Sequence, residues 1–162
     1  MSGSPGPAGG GGHGGGLRPQ ARRDLAALQA ALAVEQATSY AYGIIGAHLS
    51  GAAFSAAAAD CLAHERARDS LTGLITARGG TPVPAAAAYR LPNAVHKPAD
   101  AVALAIALER QTASAYLSLV AAGDRPLRAF GAGQMQAAAV REARWSGRSQ
   151  AFPGLPGPAG RG

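Results

Sequence analysis

The stretch LAALQAALAVEQATSYAYGIIGAHL, residues 25–49, predicts one long helix with an acidic residue on its apolar face. Its inward residues recur at steps of three and four, apart from one double step across Gly46, so they share one helical stripe. The stripe consists of Leu25, Leu28, Leu32, Glu35, Ser39, Tyr42 and Leu49. A carboxylate among leucines is costly unless it is paired, protonated or bound to a metal. Glu35 therefore marks a candidate site inside the protein.

The composition of the 162-residue chain is that of one soluble globular domain, with 48% hydrophobic and 15% charged residues. Alanine is abundant and aromatic residues make up only 5%, which favours closely packed helices over a sheet. The net charge is +6, but the arginines are scattered and no nucleic-acid-binding motif accompanies them. We therefore expect no nucleic-acid binding. Cys61 is the only cysteine, which excludes an internal disulfide and a thiolate metal cluster.

The two ends of the chain differ in composition from its middle. Residues 1–19 are rich in glycine and predict a disordered tail, because such a segment cannot bury enough surface to offset its ordering entropy. Residues 148–162 predict an extended segment, partly docked through Phe152 and Leu155. The chain shows neither a signal peptide nor an apolar run long enough to span a bilayer. These features predict a cytoplasmic protein that does not associate with membranes.

Between these ends, residues 20–147 predict a bundle of four helices. The expected helices are A at 20–50, B at 53–78, C at 99–122 and D up to Ser146, with Asp124 as the N-cap of D. The segment 79–98, GGTPVPAAAAYRLPNAVHKP, contains four prolines, which forbid a continuous helix. A connection of this length carries the chain from one end of a bundle to the other, so helix C should run parallel to helix B. Short, long and short connections are typical of the ferritin-like four-helix bundle.

The acidic residues of this bundle only partly follow the pattern of a di-metal centre. In ferritin-like di-metal proteins, the first helix of each hairpin supplies a glutamate and the second supplies Glu-x-x-His. Glu35 and Glu109 occupy the first-helix positions. The histidine positions, however, hold Arg68 and Trp145, three residues after Glu65 and Glu142, and neither side chain can ligate a metal.

Two interpretations of the inward polar residues follow from the sequence. In the first, arginine neutralises the buried acids in a closed cluster that fixes helix register without catalytic residues or a cofactor. This cluster consists of Glu35, His64, Arg68, Glu109 and Arg141. In the second, a reduced site binds iron or manganese and supports redox chemistry. Its ligands would be Glu35, His64, Glu109 and Glu142.

The chain resembles the actinobacterial ferritin-like proteins that carry the domain of unknown function DUF4439. The resemblance covers residues 25–156 and rests on several segments. These are ALAVEQATSYAYGIIGAHLSG, AHERARDSLTGLITARGGTPVPAAAAYRLP, ALERQTASAY, and VREARWSG followed by AFPGLP. It implies a ferritin-like fold and, because the family has no assigned activity, no particular reaction.

Two classes of function remain at this stage. A structural or interaction protein would use its exposed faces or form a homodimer, whereas a metal-dependent redox enzyme would need open coordination positions in the core. No small-molecule substrate is identifiable from the residues.

Overall fold

A computed structural model describes residues 17–147, which contain four helices and no strand. The helices are α1 (Pro19–Ala47), α2 (Gly51–Thr76), α3 (Pro98–Val120) and α4 (Arg125–Ser146). The prediction of an all-α chain with one long crossover is confirmed for this part of the chain. Residues 1–16 and 148–162 lie outside it, and with them most of the predicted tail and all of the predicted docked segment. No helix within residues 17–147 combines the length and apolarity needed to cross a membrane.

The helix ends follow from proline and glycine. A proline occupies the first turn of α1, α3 and α4, where its fixed φ and missing N–H suit a helix start. Gly79 and Gly147, with φ of 73° and 66°, follow the ends of α2 and α4 in the left-handed conformation that glycine tolerates best. Gly51 was expected to close the first helix, but α1 ends at Ala47 and Gly51, with φ of 56°, begins α2. The left-handed glycine thus reverses the chain at the start of the second helix.

Within residues 17–147 the apolar core is divided into two clusters, one in each half of the bundle. The first cluster contains Leu28, Ala31, Leu32, Leu71, Ile75, Tyr116, Leu119, Ala122 and Leu127. The second contains Ala41, Tyr42, Ile45, Ala57, Ala101, Leu104, Ala105 and Leu108. The beginning of α1 therefore packs with the ends of α2 and α3 and with the beginning of α4. Helices α2 and α3 both run antiparallel to α1, so they are parallel to each other, as the long crossover predicts.

The crossover, residues 77–97, is held along α1 by two glutamines spaced seven residues apart. Gln29 donates to the carbonyl of Thr81 at 2.7 Å and accepts the Val83 amide at 2.8 Å. Gln36 donates to the carbonyl of Val83 at 2.9 Å. Farther along the crossover, Tyr89 donates to Gln36 at 3.3 Å. Amide side chains on one helix face thus supply partners to a backbone that its prolines keep out of any helix.

Helix α4 approaches α3 closely at one glycine, which gives a testable pair of substitutions. A Cβ atom on Gly131 would lie 2.7 Å from Cβ of Leu119, whereas one on Gly133 would meet nothing within 4 Å. We expect Gly131→Ala to lower the free energy of unfolding by about 1–3 kcal/mol through overpacking. The matched Gly133→Ala should raise it by about 0.5–1 kcal/mol, because alanine is the better helix former. Urea denaturation measures both, and equal effects at the two positions would contradict the close approach.

Candidate functional site

His64 lies at the centre of a buried polar network between the two apolar clusters. Its Nδ1 atom is 2.7 Å from Oε2 of Glu35, and its Nε2 atom is 2.9 Å from Oε1 of Glu109. All three side chains are fully buried. The imidazole therefore joins a carboxylate of α1 to a carboxylate of α3 from its place on α2.

The remaining carboxylate oxygens also accept hydrogen bonds from the protein. Tyr116 donates to Oε1 of Glu35 at 2.7 Å, and Tyr42 donates to Oε1 of Glu109 at 2.6 Å. Arg141, on α4, donates from Nε to Oε2 of Glu109 at 2.9 Å. Each of the four carboxylate oxygens thus has at least one donor. We call the set of Glu35, Tyr42, His64, Glu109, Tyr116 and Arg141 the polar layer.

The polar layer has an approximate internal symmetry that is visible in the sequence. Tyr42 follows Glu35 by seven residues on α1, and Tyr116 follows Glu109 by seven residues on α3. Each tyrosine bonds the glutamate of the other helix. The segments EQATSYAY at 35–42 and ERQTASAY at 109–116 share Glu, Thr, Ala and Tyr at matching positions, a signal that the sequence analysis missed.

The charges of the polar layer balance when His64 is protonated. Although burial acts to lower its pKa, the hydrogen bonds and charges of Glu109 and Glu35 raise the pKa of His64 to about 8. For Glu109, burial favours a higher pKa, but His64, Arg141 and Tyr42 hold the pKa below its usual value. Two carboxylates then face one imidazolium and one guanidinium, and both ring nitrogens of His64 donate. Burial raises the pKa of Tyr42 and Tyr116, as do Glu109 and Glu35 respectively, so both hydroxyls stay protonated donors.

Comparison with known proteins places the chain in a family. Over residues 27–157 the sequence matches the family described as a domain of unknown function (DUF4439). The chain belongs to this family. The crystal structure of a conserved hypothetical protein from Mycobacterium tuberculosis is similar, with 37% sequence identity and a TM-score of 0.75. That match covers 77% of this chain and 96% of the other. A comparison with curated proteins found no significant match.

One residue of the predicted cluster is not part of the polar layer of this DUF4439 domain. Arg68 is about one third exposed and pairs at 2.9 Å with its neighbour Asp69. The prediction that Arg68 neutralises the buried acids is therefore wrong. After His64, the next buried residue of α2 is Ala67, which precedes the predicted Arg68 by one position. The buried face then continues with Leu71. Arg141 supplies the guanidinium instead.

Glu142, the fourth candidate metal ligand, also lies outside the polar layer. Its buried carboxylate accepts two hydrogen bonds from Arg110 through Oε1, at 2.9 and 3.2 Å. Within residues 17–147, no group of three or more His, Cys, Asp or Glu side chains is arranged to hold a metal ion. The imidazole of His64 lies between the carboxylates of Glu35 and Glu109, 2.7 and 2.9 Å from their nearest oxygens.

The buried carboxylate of Asp60 joins α2 to α4 beside the polar layer. Asp60 accepts hydrogen bonds from Arg144 and, at 2.8 Å, from the indole N–H of Trp145. The bond to Asp60 raises the pKa of Arg144 further above its already high ordinary value. Trp145, at one of the two positions where the sequence pattern would require histidine for a di-metal centre, thus serves as a hydrogen-bond donor to a carboxylate.

The raised pKa of His64 predicts that the DUF4439 domain loses stability at alkaline pH. Its pKa is about 8 in the folded state against 6.5 when unperturbed, so folding favours the protonated form. The contribution is fully present below pH 6.5 and is lost as the pH rises through about 8. The free energy of unfolding should fall by about 2 kcal/mol across this interval. Urea denaturation at a series of pH values measures the decrease, which His64→Gln should abolish and the exposed-site control His96→Gln should retain.

Proposed function

We propose that this chain is a non-catalytic, ferritin-like helical domain in which a closed, charge-balanced polar layer takes the place of a di-metal centre. One observation carries the proposal. Every carboxylate oxygen of Glu35 and Glu109, and both ring nitrogens of His64, already have partners within the protein. A group that binds metal or substrate needs a free donor atom or an open position, and this network offers neither.

The arrangement of helices supports the ferritin-like part of the proposal. Two hairpins joined by one long crossover each carry a glutamate on the first helix, Glu35 and Glu109. The second helix of each hairpin contributes a cation to the same network, His64 in one and Arg141 in the other. The guanidinium of arginine cannot ligate a metal but can neutralise a carboxylate, so the cationic side chains supply charge where metal ions would otherwise do so.

The side chains of the polar layer do not match the ligands of a ferritin-like di-metal centre. Such a centre uses about four carboxylates and two imidazoles. The polar layer has two carboxylates and one imidazole, and Arg141 lies 2.9 Å from a carboxylate oxygen that a metal would need. A guanidinium and a divalent cation at the same oxygen would repel each other.

The polar layer is suited to fixing the register of the four helices. A buried polar group left without a partner costs on the order of 1–3 kcal/mol, and a buried charge costs more. Sliding α1 or α3 by one turn would separate Tyr42 and Tyr116 from the carboxylates that they bond. The two apolar clusters on either side contain mostly alanine and leucine, which specify register only weakly.

Metal analysis of the purified 162-residue chain tests this proposal. Protein produced in medium containing iron, manganese and zinc should carry only substoichiometric metal by plasma mass spectrometry. Its melting temperature should not change with a chelator, because a ligand that is absent cannot stabilise the folded state. Stoichiometric iron or manganese that is lost in Glu35→Ala would contradict the proposal and favour a metal-dependent redox protein.

A further inference from the structure

The net positive charge of the described residues is concentrated at one end of the bundle. This basic end is where α1 and α4 begin and where α2 and α3 end. It carries Arg18, Arg22, Arg23, Arg78, Arg125 and Arg128, together with Asp24 and Asp124. Its net charge is +4, and the other seven basic side chains within residues 17–147 are matched by seven acidic ones. The arginines are scattered along the sequence, and the fold brings them together.

Contacts among its segments show that the basic end is a single surface. The amide of Gly123, between α3 and α4, donates to Asp24 of α1 at 3.3 Å. Arg78, just after α2, pairs with Asp124, just before α4, at 2.5 Å. Hydrogen bonds therefore connect the ends of all four helices.

Most of these arginines have no acidic partner among the described residues. Of the six arginines at the basic end, Arg78 pairs with a carboxylate of the described residues, that of Asp124. Arg22 donates to the carbonyl of Leu17, and Arg128 donates to the carbonyls of Ala122 and Gly123. These bonds leave the positive charge uncompensated, and all but Arg78 are exposed. The exposed guanidinium groups are thus available to an anionic partner.

Two further features of the basic end suit phosphate groups. The N-cap residues of α1 and α4, Arg18 and Asp124, make no side-chain cap hydrogen bond, and the positive ends of both helices point toward this surface. A surface depression of about 580 Å³ opens beside the arginines and is lined by Gln20, Arg23, Asp24, Ser118 and four alanines. Arginine binds phosphate oxygens with two parallel N–H groups, which makes it the preferred residue for this contact.

We propose that the basic end binds the phosphate backbone of a nucleic-acid duplex. Among the large apolar and aromatic residues that are exposed within residues 17–147, Leu17 is the one at this end. Apart from Leu17, the described part of this surface exposes neither the aromatic residues that stack on unpaired bases nor the large apolar residues that insert into a bilayer. Contacts to backbone phosphates require neither, since they depend on charge and guanidinium geometry alone. This proposal replaces the expectation from scattered arginines that the chain does not bind nucleic acid.

The proposal extends the non-catalytic function proposed above by naming a partner, and it is tested separately. The metal analysis concerns the buried polar layer, whereas duplex binding concerns an exposed surface that shares no residue with it. A negative result in the duplex-binding experiment does not contradict the proposed non-catalytic function, and metal found in the core does not contradict duplex binding.

Fluorescence anisotropy with a labelled DNA duplex and an RNA duplex of the same sequence tests the proposal. We expect the 162-residue chain to bind at low ionic strength and to lose affinity as salt is added. Arg23→Glu combined with Arg125→Glu should weaken binding by about tenfold or more and reduce the salt-dependence slope by about 2. The control combines Arg66→Glu with Arg90→Glu, two exposed arginines outside the basic end with the same total change in charge. It should weaken binding by less than about threefold.

Several outcomes would overturn the proposal. They are absence of binding to either duplex at low ionic strength, and equal weakening by the two double variants. A third is stronger binding to vesicles of anionic phospholipid or to polyglutamate than to the duplexes, which would assign the surface to a membrane or an acidic protein. If the glutamate variant fails to fold by circular dichroism, Arg23→Ala with Arg125→Ala provides the same comparison without charge reversal.

Discussion

Replacing Arg141 by alanine should lower the free energy of unfolding by about 3–5 kcal/mol, the typical cost of removing one partner of a buried ion pair. The Arg141 side chain is nine-tenths buried, and its Nε atom lies 2.9 Å from a carboxylate oxygen of fully buried Glu109. Without the guanidinium, the polar layer carries two carboxylates and a single cation. Burial prevents water from screening the unpaired charge.

Arg68→Ala is the matched control for this prediction. Arg68 is partly exposed and pairs with Asp69, which is two thirds exposed, so its loss should cost less than about 1 kcal/mol. Urea denaturation measures both variants. A double-mutant cycle with Glu109→Gln then reports the coupling, and Arg141→Ala should cost less when Glu109 carries no charge. A large effect of Arg68→Ala, or additive effects of the changes at 141 and 109, would show that the guanidinium is not what compensates the buried acid.

The fold could be predicted from the sequence because its strongest signals are local. Three- and four-residue spacing predicts helices, and four prolines within residues 79–98 exclude a helix from the crossover. The error at Gly51 is also local. Glycine with positive φ is common just after a helix, and the sequence does not distinguish that position from one at the start of the next helix.

The buried face of α1 was harder to predict. The expected stripe passed from Tyr42 to Leu49, but Ile45 is fully buried and Leu49 only partly so. Ile45 lies three residues after Tyr42, and Leu49 lies four residues after Ile45. Helical spacing alone therefore does not show which of the two is more deeply buried. Thr38, also buried, was not expected on this face because threonine is neither clearly apolar nor charged.

The partners within the polar layer could not be obtained from spacing alone. Arg68 and Ala67 lie four and three residues after His64, so both are compatible with the same helical face. Ala67, three residues after His64, is the buried one of the two. The long side chain of Arg68 turns outward to Asp69. Tyr42 was predicted to point inward, but its bond to Glu109 depends on the relative height of α1 and α3.

Replacing His64 by leucine should also lower the free energy of unfolding by about 3–5 kcal/mol at neutral pH. Leucine fills a comparable volume but leaves Glu35 and Glu109 with Arg141 as the single cation. It also removes a donor from each carboxylate, at 2.7 Å for Glu35 and 2.9 Å for Glu109. His96→Leu, in the exposed crossover, is the matched control and should have little effect.

The charge balance makes a sharper prediction about the double variant His64→Leu with Glu35→Gln. Removing one carboxylate along with the imidazolium leaves Glu109 paired with Arg141, so the polar layer is again neutral. Glutamine retains an oxygen that can accept the hydroxyl of Tyr116, which donates to Glu35 at 2.7 Å in the wild type. The double variant should therefore be more stable than His64→Leu alone, although Glu35→Gln restores neither of the hydrogen bonds that His64 makes. If Glu35→Gln instead lowers the stability of the His64→Leu variant further in urea denaturation, packing and hydrogen bonding govern the cost, and charge compensation does not.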